Sequence, residues 1–302
     1  MVIKRDIKRG YTLIELIITI TLTTIIFSVV AIFLAKPIQI YAAVAKRVEL
    51  VDIADLALRR MERDIHKALP NSIRIKTLGN KQVIEMVNAV TGMRYRTMRP
   101  GTDDDILNFN TADTEFNVYG PFPDTLLGNH NYRLVIYNIG TNGASSDIPV
   151  AGINVYAANT SPGPNPPIGT HVITPATTTV TLSNIDAAGH IELDSGFQFA
   201  FNSPQQRLYI IDSPISYVCD PASATITRFH GYAINTVQPI DPNVTPLNSA
   251  QSDLLARRVT ACSFKYEPGT SKRGGIVTIA LTVANGVEQI RLLQQVHIGN
   301  AP

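Results

Sequence analysis

Tryptophan is absent from the 302 residues, cysteine occurs only twice, and charged residues make up only 17% of the chain. Neither Cys219 nor Cys262 belongs to a C-x-x-C pair, which argues against a thiol redox motif or a cysteine-held zinc. The six histidines, His66, His130, His171, His190, His230 and His297, are scattered without metal-ligand spacing. H-E-x-x-H, G-x-S-x-G, the Walker A loop and G-x-G-x-x-G are all missing, and with them the common sequence signatures of metalloproteases, serine hydrolases and nucleotide enzymes. The chain therefore reads as a non-enzyme without a cofactor. Its charge also excludes a partner. Lys4, Arg5, Lys8 and Arg9 against Asp6 give residues 1–10 a charge of +3, so the formal +2 of the whole chain becomes −1 without them. The clustered basic face that nucleic acid requires is not there.

What the sequence does have is one long hydrophobic block. From Tyr11 to Ala35 the only charge is Glu15. About 20 apolar residues cross a bilayer core, so these 25 suffice with some tilt. A secretory signal peptide has a shorter apolar core, with a small-residue cleavage site directly after it. The A-x-A that follows the run here, Ala43-Val44-Ala45, lies well past its end, beyond Pro37. An unprocessed membrane anchor and an anchor processed at its start both remain. A carboxylate inside such a run costs on the order of 2.5–3.5 kcal/mol near the bilayer centre, and intramembrane charges generally have partners. Cleavage after Gly10 would create one, the new α-amino group of Tyr11 on a neighbouring copy.

Gly10-Tyr11-Thr12-Leu13-Ile14-Glu15-Leu16 resembles the class III signal of type IV pilins and type II secretion pseudopilins, with Tyr11 where that family prefers Phe. The resemblance implies that prepilin peptidase cuts after Gly10 and that the amine of Tyr11 is methylated. It also implies that Glu15 pairs with a neighbour's N-terminus during assembly. The basic leader places residues 1–10 in the cytoplasm by the positive-inside rule, which puts everything after Ala35 beyond the membrane, in the periplasm.

Lys36-Pro37 interrupts the apolar run, as a bend or a break. From Ile40 to Leu69 there is neither Gly nor Pro, and good helix formers predominate. Val44, Val48, Val51, Leu58, Met61, Ile65 and Ala68 recur at helical spacing, with Asp55 interrupting and Asp64 placed among the solvated or subunit-facing charges. Pro70 is the stop. The expected shape is a kinked helix with a membrane half, 11–35, and an amphipathic half, 36–69. Residues Leu58 to Arg74 are similar to the helix-to-strand junction of the larger minor pilins and pseudopilins, of the PilW, GspJ and MshO kind.

Beyond Pro70, short apolar stretches alternate with turn formers, a β-rich pattern. Tyr132–Ile139, Gln206–Ile211, Ile215–Cys219, Ala261–Tyr266, Ile276–Val283 and Val287–Ile298 are predicted strands. The last two are joined through Asn285-Gly286, a strong hairpin signal. On the returning strand Ile290, Leu292, Val296 and Ile298 share a face with Gln294 as the odd member. The fold class is thus α+β, a long helix packed on a β-rich head over 70–302. In an exported head the two cysteines suggest a Cys219–Cys262 disulfide, with two free buried thiols as the alternative. Asp103-Asp104-Asp105 is the one metal candidate, set against a solvated turn. The Pro-rich stretch 159–167 is a surface loop or a partner contact.

The function expected is that of a minor pilin of a type IV, MSHA-like pilus, acting in assembly initiation or at the tip. Its partners would be other minor pilins, the major pilin, prepilin peptidase, the inner-membrane assembly platform and membrane lipid. A pseudopilin of the GspJ kind and a tip adhesin binding a surface or glycan are the alternatives.

Overall fold

The computed structural model describes residues 10–97, 106–139, 154–156, 171–185, 187–268, 274–286 and 288–298. The Asp103-Asp104-Asp105 run and the Pro-rich stretch 159–167 lie outside these residues.

Helix α1 spans Leu13–His66, 54 residues, or about 81 Å at 1.5 Å per residue. Thr12 caps it, accepting the Glu15 N–H through its hydroxyl at 3.3 Å. Pro37 lies inside the helix and does not end it. The helix stops three residues short of the expected boundary because the next backbone groups pair elsewhere. The Leu69 N–H donates to the Val87 carbonyl at 2.8 Å, and the Ala89 N–H to the Lys67 carbonyl at 2.8 Å. Sheet pairing thus takes over from helix before Pro70 is reached.

The head contains thirteen strands among the described residues. In chain order these are β1 (Arg74–Leu78), β2 (Lys81–Arg94), β3 (Asp113–Val118), β4 (Gly128–His130), β5 (Arg133–Ile136), β6 (Val180–Ile185) and β7 (Ala188–Phe197). They continue as β8 (Arg207–Asp220), β9 (Thr225–His230), β10 (Gln251–Arg257), β11 (Val259–Glu267), β12 (Ile276–Asn285) and β13 (Glu288–His297). Three sheets result. One is ordered β1-β2-β8-β9-β10 with β5 also on β8, one is β3-β7-β6-β4, and one is β11-β12-β13. The predicted hairpin is present, with Asn285 paired to Glu288 and Gly286 at a φ of +68° that a side chain would strain.

Two larger cores share strands β2 and β8, each 14 residues long. The first joins the helix to both neighbouring sheets. It holds Leu50, Ala54, Ala57, Leu58, Met61 and Ile65 against Ile84, Tyr217, Ile279, Leu281 and Val296. The second lies under the four-stranded sheet, around Phe116, Ile191, Leu134 and Phe199. The buried helical face is therefore not the predicted one at its upper end. Val44, Val48 and Val51 are exposed, and Leu50, Ala54 and Ala57 are inside. Small alanines at 54 and 57 let the helix backbone approach the sheet, which a valine stripe would hold away. Removing Leu50, Leu58, Met61 and Ile65 from water contributes roughly 6–12 kcal/mol as an upper bound.

The disulfide forms between Cys219 on β8 and Cys262 on β11, 43 residues apart in sequence. It joins the six-stranded sheet to the three-stranded sheet on which the helix rests. Closing a loop of that length stabilises the fold by about 4 kcal/mol in the chain-entropy model.

Candidate functional site

Among the described residues, the N-terminal segment and the seat of the helix on the head both depart from ordinary packing. In the first, every side chain described from Tyr11 to Leu34 is exposed. The most apolar stretch of the helix has none of its residues buried. The core helix of a soluble domain would instead have its apolar residues covered by its own fold. The exposed stretch fits an anchor in a membrane, by length and by composition.

Hydroxyls within this stretch are handled internally. Thr19, Thr21, Thr23, Thr24 and Ser28 each donate to a backbone carbonyl three or four residues earlier, at 2.6–3.0 Å. A hydroxyl bonded in this way carries little penalty in lipid. Glu15 remains as the charged group of the segment. It sits in the first helical turn, where the helix dipole favours a negative charge, three residues after its capping Thr12. The Glu15 carboxylate is exposed, and the same is true of Tyr11.

Gly10 is informative because its own structure does not require it. A Cβ built there meets nothing within 4 Å among the described residues, and its backbone is not in the left-handed region. A glycine with neither steric nor conformational cause in the fold answers to something outside the fold. Residues 5–31 match the family model of the prokaryotic N-terminal methylation motif.

The chain carries a prepilin-type N-terminus.

Such a segment implies processing by prepilin peptidase and use of a pilus assembly machinery, and it supports a type IV pilin-like protein. The match covers the residues that the sequence had singled out, Gly10, Tyr11 and Glu15, and the head lies outside it. No curated protein and no solved structure matches the chain.

At the seat, the prepilin-type helix is fastened by a buried charge that the sequence reading had placed on the surface. Asp64 lies on the inward face of α1. It accepts from Arg228 Nε on β9 at 2.7 Å and from the Tyr217 hydroxyl on β8 at 2.6 Å. Arg60 Nε lies 3.7 Å away on the helix itself. Burial, and then the adjacent Asp64 charge, pushes the Tyr217 phenol far above its usual range, so it stays protonated and donates. The only sequence signal was position. Asp64 falls between Met61 and Ile65 on the inward face, and a charge there is normally paired. Farther along the same contact, Gln294 donates to Glu62 at 2.7 Å. The odd polar member of the β13 face thus meets a helix carboxylate.

A second buried carboxylate, Glu85, is fully enclosed. Burial raises its affinity for a proton while the Arg74 guanidinium, bonded to it at 2.5 Å, opposes that. Tyr232 donates to its other oxygen at 3.0 Å. The guanidinium is held in turn by the carbonyls of Asn235 and Thr236 and stacks on the Tyr156 ring at 3.7 Å. A shifted, enclosed carboxylate can mark catalysis. Here both oxygens are bonded within the protein and the group is sealed from solvent, so it has no means of reaching a substrate. It locks β1 and β2 to the loop after β9.

Proposed function

We propose that this protein is a minor pilin of a type IV, MSHA-like pilus that acts in assembly initiation or at the fibre tip. It works by partner assembly and not by catalysis. The observation that carries the proposal is the prepilin-type segment at the start of a 54-residue helix whose far half is seated in a large β-rich head. Helical packing of such stalks leaves little lateral room, so a head of this size suits a subunit used in few copies. In this reading residues 1–10 lie in the cytoplasm, residues 11–35 in the inner membrane and the head in the periplasm, before delivery to the tip or cell surface. Prepilin peptidase cuts after Gly10 and methylates Tyr11. Glu15 then neutralises the amine of a neighbouring subunit, either another minor pilin or the major pilin, and the inner-membrane platform extracts the bundle.

Removal of this subunit should abolish or shorten pili while leaving secretion of exoproteins intact. Normal piliation with failed secretion would move the protein to a type II secretion apparatus as a pseudopilin of the GspJ kind, which needs the same N-terminal segment. Normal piliation with lost surface attachment would instead make it a tip adhesin.

A further inference from the structure

Strands β3 and β7 pair so that Glu115 stands opposite Glu192, and Asn117 opposite His190. All four therefore share the face of the four-stranded sheet that points away from its core, since Phe116 and Ile191 occupy the other face. Two carboxylates directly across an antiparallel pair repel each other. His190 lies between them, 3% exposed, with its Nε2 at 3.6 Å from Glu115 Oε2 and 3.4 Å from Glu192 Oε1. Its Nδ1 bonds the Asn117 side-chain oxygen at 2.8 Å. That acceptor requires a proton on Nδ1, which in the neutral ring leaves the Nε2 lone pair facing the two carboxylates. One ligand atom from each of the three residues falls within 4.8 Å of the others.

We propose that Glu115, His190 and Glu192 form a binding site for a divalent transition metal, with zinc as the best-fitting ion. The donor set is one imidazole nitrogen and two carboxylate oxygens, which suits zinc and its neighbours, whereas calcium and magnesium take oxygen alone. With the ring neutral, the site carries two negative charges, which a divalent ion balances. Asn117 fixes the ring from behind, as partners of metal-bound histidines do. Both carboxylates are about half exposed, at 52% and 54% of their side-chain surface. An ion there would thus clamp β3 to β7 and keep a coordination position open to water or to an outside ligand. The sequence could not show this grouping, because Glu115 and His190 are 75 positions apart and only the sheet register brings them together.

The test uses the full chain in detergent, stripped with EDTA and titrated calorimetrically with zinc chloride and, separately, calcium chloride. One zinc per chain is expected, bound at least 100-fold more tightly than calcium, together with a rise in melting temperature. Glu115→Gln and Glu192→Gln should each weaken zinc at least tenfold and erase that thermal rise. Both should stay folded without metal, with near-ultraviolet spectra like the wild type's, so that lost binding is not lost structure. Asn117→Ala should weaken zinc 10–100-fold. Absence of zinc binding at millimolar concentration would overturn the site. So would equal affinity for calcium, or undiminished zinc binding in both glutamine variants.

Discussion

Replacing Arg228 by Met tests how the stalk is held to the head. The wild-type Arg228 and Asp64 side chains are only 10% and 9% exposed, and their ion pair measures 2.7 Å. Removing the arginine leaves the Asp64 carboxylate largely out of water with only the Tyr217 hydroxyl as a close donor. Breaking a buried pair from one side costs about 3–5 kcal/mol. Arg60, at 3.7 Å, takes over part of the compensation, which puts Arg228→Met near the lower end, about 3 kcal/mol. For a head of this size each kcal/mol corresponds to roughly 2–4 °C in melting temperature, so a fall of about 6–12 °C is expected. Without tryptophan, the near-ultraviolet signal of the buried tyrosines is the natural probe, read on the full chain in detergent. The second arm is the double change Asp64→Leu with Arg228→Met. Apolar replacement of a whole buried pair is often neutral or stabilising, so the double variant should regain most of the loss. A single variant within 1 kcal/mol of wild type, or a double variant worse than the single, would refute the reasoning.

Other outcomes follow from the same geometry. Gly10→Val should leave the melting curve unchanged, because none of the described residues lies within 4 Å of a Cβ there. It should block peptidase cleavage, read as an uncut chain by N-terminal sequencing after coexpression with prepilin peptidase; normal cleavage would remove Gly10 from the processing site. Glu15→Ala should be cut normally and assemble poorly. A pairing worth only ~1.4 kcal/mol already changes assembly tenfold, so undiminished incorporation by quantitative immunoblot of sheared fibres would exclude the pairing role. Cys219→Ser with Cys262→Ser should lose about 4 kcal/mol of stability in denaturant. Asp220 loses some of its preference for charge through burial, but the Lys81 ammonium and the Ala222 N–H outweigh this and hold its carboxyl below the usual range. A depressed carboxyl stabilises the fold above its unfolded pKa, near 4, and that contribution fades as the pH falls through the folded value. Asp220→Asn should therefore lower stability at neutral pH by no more than about 1 kcal/mol and flatten its decline below pH 4.

The N-terminal segment was legible in the sequence because its chemistry is local. A glycine, a carboxylate five residues on and an uninterrupted apolar run need no tertiary contact to be recognised. The head was only partly legible. The alternation predicts two strands, Gln206–Ile211 and Ile215–Cys219, where the fold has the single strand β8. In the fold Pro214 is accommodated opposite Val87, where the register with β2 slips, and an irregular pairing tolerates a missing N–H. β5 ends earlier than its alternation indicated because Tyr137 turns to a φ of +57°. β2 was missed altogether. It runs through both cores, so its burial follows two neighbours in turn and no single alternation persists. The helix face was misread above Leu58 because alanine carries little hydrophobic signal, though it is what permits close approach.

The seat of α1 also fixes an order of events. Glu62 and its partner Gln294 are 232 positions apart, and the strands beneath the helix, β12 and β13, are made long after it. While the chain is being synthesised, Leu50, Leu58, Met61 and Ile65 have no sheet to lie on, and Asp64 waits for an arginine more than 160 residues downstream. Until then the inward face of the stalk is an unsatisfied adhesive strip. A chain with an unfinished head is therefore prone to capture by another helix of its own kind, and completion of the head is what withdraws that face from the competition.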